Sequence, residues 1–135
     1  MSPMKRYRRL EHKADLIIKG YGRSREELFF NLLMGIMENQ EPEFGSEDVE
    51  RQIKVKSLDE GALLVDFLNE SLSLSQTYKE YYTKAQLSLK EKELKGILKG
   101  KKTERWGKEI KAATYHGLQI NQEKGKWEAQ VVFDV

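Results

Sequence analysis

Few side chains in this 135-residue sequence have a type and spacing that suggest chemistry. Asp66 and Glu70 lie four residues apart in an apolar segment, so they share one face of a predicted helix. Lys111, Tyr115 and His116 lie close together in a segment with a two-residue hydrophobic period, which predicts a strand. A strand lysine beside a tyrosine can offer a positioned positive charge to a partner or a phosphate.

Each of these residues also has a purely structural interpretation. Acidic side chains on a helix commonly face water, a strand lysine is usually exposed, and a histidine among apolar strand positions is commonly a core or rim residue. Phosphate-binding glycine loops, zinc-ligand spacings and serine nucleophile elbows do not occur in the sequence. Two histidines without cysteine are too few for a typical zinc site. The residue types and their spacing alone therefore do not predict a specific activity.

Two amphipathic helices are predicted to position these residues. Ser24–Glu27 and Ser57–Glu60 both have the capping-box pattern that starts a helix. Apolar residues then recur at three- and four-residue spacing, to about Met37 in the first helix and about Gln76 in the second. Each helix therefore buries one face.

Alternating apolar residues predict seven strands around these helices, at residues 5–10, 16–20, 49–55, 85–89, 94–98, 110–120 and 127–135. Ile110, Ala112, Thr114, His116, Leu118 and Ile120 fall on one side of an unbroken alternation. Gly125 favours a tight hairpin between the last two strands. We expect an α+β fold, a two-layer domain with both helices on one face of a mixed, largely antiparallel sheet.

Length and composition predict a single domain spanning residues 1–135 in the cytoplasm, because the chain has 39% apolar residues, no cysteine and no apolar signal segment. No apolar run approaches the ~20 residues of a membrane span. Lys79–Lys111 holds eleven basic residues and five acidic ones. This segment is either a solvated strand face or the phosphate-binding surface of a nucleic-acid-binding module. A general chaperone is a third alternative, which would require an exposed apolar patch.

Four segments, in order along the whole chain, resemble signatures of the archease family. His12-Lys13-Ala14-Asp15 is similar to its opening His-Thr-Ala-Asp pattern, and Asp66–Glu70 to its second-helix signature. Ile110–Leu118 resembles its Lys-Ala-x-Thr-Tyr-His segment, and Val132–Val135 its terminal Phe-Asp-Val. The resemblance implies a protein cofactor, not itself an enzyme, of the GTP-dependent RtcB-class RNA ligase that joins tRNA halves. Such a cofactor promotes guanylylation and turnover of the ligase.

Site residues follow from the same resemblance. It implies metal ligation by Asp15, Asp134 and the terminal Val135. It also implies a set of residues for activation and interaction with the ligase: Lys111, Glu70, His12, Tyr115 and His116. This sequence departs from the family at Lys13, where threonine is usual, and in a short, basic segment before Lys111.

A cation site agrees with the predicted strands. Asp15 begins one strand, and Asp134 and the Val135 α-carboxylate end another, so up to three anionic groups meet if these strands are neighbours. Such groups repel one another unless a cation lies among them. Ca²⁺, Mg²⁺ or Mn²⁺ would accept an all-oxygen shell. The alternative is that Asp15 caps a turn and Asp134 faces water.

Overall fold

The computed structural model describes residues 5–10 and 15–135. It contains two helices, α1 (Arg25–Asn39) and α2 (Glu60–Tyr78), and seven strands. The strands are β1 (Tyr7–Leu10), β2 (Leu16–Gly22), β3 (Asp48–Lys56), β4 (Glu80–Leu89), β5 (Glu93–Lys102), β6 (Ala112–Glu123) and β7 (Lys126–Asp134). The predicted α+β class is confirmed. Neither described helix combines the length and apolar character needed to span a membrane.

The strands form two sheets instead of the single mixed sheet that was expected. The first sheet has the order β1-β2-β7-β6 and the second has the order β3-β5-β4. Every pairing between these strands is antiparallel. Both helices pack against strands of both sheets, α1 on β2 and β4 and α2 on β6 and β3. Alternation tells which side of a strand is buried, but not which strands are neighbours.

A continuous hydrophobic core lies between the helices and the two sheets. Phe29 of α1 and Phe67 of α2 are fully buried, and their ring centroids are 5.7 Å apart. Gly22 lets α1 start close to β2, because a Cβ at this position would lie 2.5 Å from the Leu28 nitrogen. The apolar residues that recur at helical spacing in the two helices therefore pack into one shared core.

The two helices begin in different ways. Ser24 caps α1 as predicted, with its side-chain oxygen accepting the Glu27 N–H at 3.1 Å. The prediction that Ser57 caps the second helix is wrong, because Asp59 accepts the Ala62 N–H at 2.8 Å and α2 starts at Glu60. Aspartate is as good a cap as serine, and here it lies nearer to the first helical turn.

The second sheet contains a buried carboxylate, Glu80, with no exposed surface. Arg51 binds both of its oxygens, at 2.8 and 3.0 Å, and the Tyr82 hydroxyl donates to Oε1 at 2.9 Å. Burial opposes ionisation, but these hydrogen bonds and the nearby charges of Arg51 and Lys102 hold the pKa of Glu80 below its ordinary value. Glu80 therefore stays charged at neutral pH.

Candidate functional site

Most of the predicted site residues lie at one end of the first sheet. β7 runs between β2 and β6, and Leu16 of β2 pairs with Phe133 of β7. Continuing this register by one residue puts Asp15 opposite Asp134. On the other side, the Lys111 N–H donates to the Asp134 carbonyl at 2.8 Å. Neighbouring strands thus bring three distant parts of the sequence to one place.

This sheet end faces solvent. Asp134 and Lys111 are exposed, Val135 is 53% exposed, and Asp15 is half-buried. Within residues 5–10 and 15–135, no three His, Cys, Asp or Glu side chains lie close enough together to hold a metal ion. The resemblance to the family implies that a third anionic oxygen comes from the Val135 α-carboxylate. Two aspartates and a main-chain carboxylate form an all-oxygen donor set, which suits a hard divalent cation. The predicted site residue His12 lies outside the described residues.

A large bulge interrupts β6 beside this sheet end. Thr114 pairs with Val132, and the next pair is Gln119 with Gln130, so four residues of β6 stand against one of β7. Gly117, with φ of +63°, lies inside the bulge. The predicted unbroken alternation from Ile110 to Ile120 is therefore wrong, because Gly117 takes the left-handed backbone that glycine favours and breaks the ladder.

The bulge also changes which side chains face the core. Before the bulge Ala113 is buried and Ala112 is only half-buried, whereas after it Leu118 and Ile120 pack against the core. His116 is exposed to solvent, so of the core and rim positions expected from the sequence, the core position is wrong. Its position inside the bulge takes it out of the paired ladder and presents it at the surface.

Tyr115 connects the bulge to α2. Its ring is 57% exposed, and its hydroxyl donates to Asp66 Oδ1 at 3.0 Å. Ser57 donates to the other Asp66 oxygen at 2.6 Å. The hydrogen bond to Asp66, with burial and the charges of Asp66 and Asp59, raises the pKa of the Tyr115 phenol above its ordinary value of 10.0. Tyr115 therefore remains a hydrogen-bond donor at physiological pH.

Glu70 stands apart from this hydrogen-bonded group. It is exposed one helical turn beyond Asp66, and no hydrogen bond or ion pair joins it to the part of the chain that the structure describes. The spacing of Asp66 and Glu70 predicted a shared helix face, but only Asp66 bonds to the β6 bulge. Glu70 remains available to a partner.

Sequence reasoning missed two α2 amides that hold β6 in place. Asn69 accepts the Ala113 N–H at 2.7 Å and donates to the Ala113 carbonyl at 3.1 Å. Gln76 donates to the Ile110 carbonyl at 2.9 Å. These bonds satisfy backbone groups at the start of β6 and just before it, on both sides of Lys111. The available signal was Asn69 itself, a polar residue directly after the buried Phe67 and Leu68.

Asn69→Ala is expected to destabilise the protein by about 1–2 kcal/mol, because it leaves both backbone groups of Ala113 without partners. The free energy of unfolding in urea measures the effect. Ser73→Ala, an exposed change on the same helix, should stay within about 0.5 kcal/mol of the wild type. An Asn69→Ala variant as stable as the Ser73→Ala control would show that Asn69 does not hold the strand.

Comparison with known proteins agrees with this fold. The archease protein family matches residues 7–135. The protein archease of Methanosarcina mazei is 34% identical, with 97% of each chain covered. The protein archease of Pyrococcus abyssi is 30% identical, over 98% of this chain and all of the relative.

Solved structures show the same architecture. The solution structure of a Methanobacterium thermoautotrophicum protein is 26% identical and superposes with a TM-score of 0.71, covering 98% of this chain and 100% of that one. A Thermotoga maritima crystal structure, described as an archease and possible chaperone, is 24% identical with a TM-score of 0.69, covering 93% and 94% of the two chains. At that identity the likeness shows the fold alone. From the match over residues 7–135 and the curated relatives, the chain belongs to the archease family.

Proposed function

We propose that this protein activates a GTP-dependent, RtcB-class tRNA-splicing RNA ligase by promoting its guanylylation and repeated turnover. The observation that supports this function is the grouping of Asp15, Lys111, Asp134 and Val135 at one exposed end of the first sheet. Family membership gives the grouping its context. The protein acts in the cytoplasm as a cofactor of the ligase, and its part in tRNA splicing is indirect, through the ligase.

A divalent cation completes the proposed site. The carboxylates of Asp15 and Asp134 and the main-chain carboxylate of Val135 would hold it, as Ca²⁺, Mg²⁺ or Mn²⁺. When bound, the cation supplies a concentrated positive charge that attracts phosphate oxygens. Oxygen donors at one solvent-facing sheet end favour such an ion over zinc, which prefers nitrogen or sulfur.

The neighbouring side chains form the surface that meets the ligase. Lys111 offers an exposed ammonium group directly before β6, where its backbone is fixed to Asp134. Tyr115 and His116 protrude from the bulge, and Glu70 is exposed on the adjacent helix. Because Asp66 and Asn69 tie this part of β6 to α2, the surface is held in one arrangement before the ligase binds.

The test is a guanylylation assay with the cognate ligase and GTP. Added at one tenth of the ligase concentration or less, the protein is expected to raise the amount of ligase–GMP adduct over many turnovers. An active ligase that forms the adduct equally well with and without the protein, at every ratio, would refute the proposed function.

Lys111→Ala is expected to lower the stimulated rate of adduct formation about tenfold or more, which corresponds to losing about 1.4 kcal/mol of stabilisation. The fold should be unaffected, because the side chain is exposed. Lys108→Ala is the matched control. Lys108 is an exposed lysine three residues before Lys111, and it is paired with Glu41. Equal stimulation by the two variants would remove Lys111 from the interaction.

A further inference from the structure

The outer face of the β3-β5-β4 sheet is a broad, basic surface outside the proposed site. Beyond the three buried residues that begin β4, more buried and more exposed residues alternate along the strands, so one face packs on the core and the other meets solvent. On the solvent face lie six lysines and three acidic residues: Lys54, Lys56, Lys84, Lys95, Lys99, Lys101, Asp48, Glu50 and Glu93. The sheet thus combines lysines of the basic Lys79–Lys111 segment with lysines of β3.

Lysines on this face stand directly opposite one another. Lys54 pairs across strands with Lys95, and Lys84 pairs with Lys99. Like charges in directly opposed positions destabilise a sheet. Glu93 and Glu50 lie 3.8 Å and 3.5 Å from Lys95 and Lys99. Lys54 and Lys84 make no ion pair with any residue in the described ranges. An anion bound on this face would relieve the repulsion.

A neutral row separates the two lysine pairs. Gln52, Ile97 and Gln86 are directly opposed on the three strands, so two amides flank one aliphatic side chain. Successive rows are about 6.8 Å apart along the strands, so the two lysine pairs on either side of the neutral row are about 13.6 Å apart. Shallow depressions of about 660 and 650 Å³ lie along the face, one beside Lys54 and Lys95 and the other beside Lys84 and Lys99.

We propose that this face binds the sugar-phosphate backbone of RNA, with Lys54, Lys84, Lys95 and Lys99 contacting phosphates. Protein interfaces depend on buried aromatic or apolar anchors, and Ile97 is the one apolar residue in the central row. Binding to phosphates requires positive charges at fixed positions and no contacts to bases. The opposed lysines provide such charges. The choice of RNA over DNA rests on the proposed function. The lysine surface itself is separate from the proposed site, because it lies on the β3-β5-β4 sheet and the site lies on the first sheet.

Fluorescence anisotropy with a labelled single-stranded RNA tests this inference. If the wild type makes four phosphate contacts, raising the salt from about 50 to about 200 mM should increase its dissociation constant for RNA about 50-fold. For Lys54→Gln/Lys84→Gln, which keeps two contacts, the same change in salt should cost only about sevenfold. The control is Lys124→Gln/Lys126→Gln, which removes the same charge from the exposed turn of the other sheet and should keep the wild-type salt dependence.

Two results would overturn the inference. One is equal RNA affinity and salt dependence for the two double variants. The other is tighter binding of polyglutamate than of RNA of equal charge, which would identify an acidic protein as the partner. The ligase–GMP assay, performed without RNA, separates this inference from the proposed function. Lys54→Gln/Lys84→Gln should stimulate adduct formation normally even though it has lost RNA affinity.

Discussion

One alanine appended after Val135 is expected to weaken Ca²⁺ and Mn²⁺ binding by about 100-fold. The extension turns the α-carboxylate into a neutral amide carbonyl and moves the negative charge about 3.4 Å further along the chain. Loss of even an outer-shell partner of a metal site costs about 10–100-fold in affinity, so loss of a charged ligand should reach the upper end of that range. Isothermal titration calorimetry measures the affinity directly.

Asp134→Asn should weaken binding in the same way, because it removes a second charged oxygen from the sheet end. Asp134 is exposed, so its replacement should leave the fold intact. Two controls are available: a protein tagged before Met1, and Asp48→Asn, which changes an exposed acid at the start of β3. If the extended and the N-terminally tagged proteins bind the metal equally, Val135 is not a ligand. Asp15 and Asp134 would then be tested alone.

Glu80→Gln is expected to lower the free energy of unfolding by about 2–3 kcal/mol at neutral pH. Removing one member of a fully buried ion pair typically costs about 3–5 kcal/mol. The lower figure applies here because the Arg51 side chain is 32% exposed and can be partly solvated. Tyr82 also loses the carboxylate oxygen that accepts its hydroxyl. Urea unfolding of the two proteins measures the difference.

The stability difference should depend on pH. The pKa of Glu80 is lowered in the folded protein, so its charged form stabilises the fold above the ordinary value of 4.5. This contribution is lost as the pH falls through the lowered folded value, and the wild type and Glu80→Gln should then converge. Glu50→Gln, which breaks an exposed pair with Lys99, should unfold like the wild type at every pH. A difference that stays constant down to pH ~2 would contradict a charged Glu80.

Local sequence patterns determined the features that depend on neighbouring residues. The hairpin between β6 and β7 is confirmed, with Lys124 and Gly125 both at positive φ, +49° and +74°. Ser24 caps α1 as its pattern predicts. The amphipathic spacing identified both helices, and the α+β class followed from the order of the elements. The Ser24 cap, the hairpin turn and the helices each lie within a few residues of the pattern that predicts them, so they depend mainly on neighbouring residues.

The arrangement of distant segments was decided only by the tertiary structure. The sequence did not predict the division into two sheets, because strand order depends on long-range pairing. It also missed the bulge at Gly117, which lies within an apparently regular alternation, and the hydrogen bonds from Asn69 to Ala113, which depend on how α2 packs along an edge strand. Pairing of β3 with β5 likewise put Lys54 beside Lys95, far apart in sequence.

The candidate site shows both contributions. Asp15, Lys111 and Asp134 could be selected from the sequence by their residue types and their places in a family pattern. They lie close together because β7 pairs with β2 on one side, and on the other side accepts a hydrogen bond from Lys111, directly before β6. Backbone hydrogen bonds between strands fix this register, and the burial of one face of each strand prevents it from slipping by one residue. The sequence determined which groups are present, and the sheet register decided which of them meet.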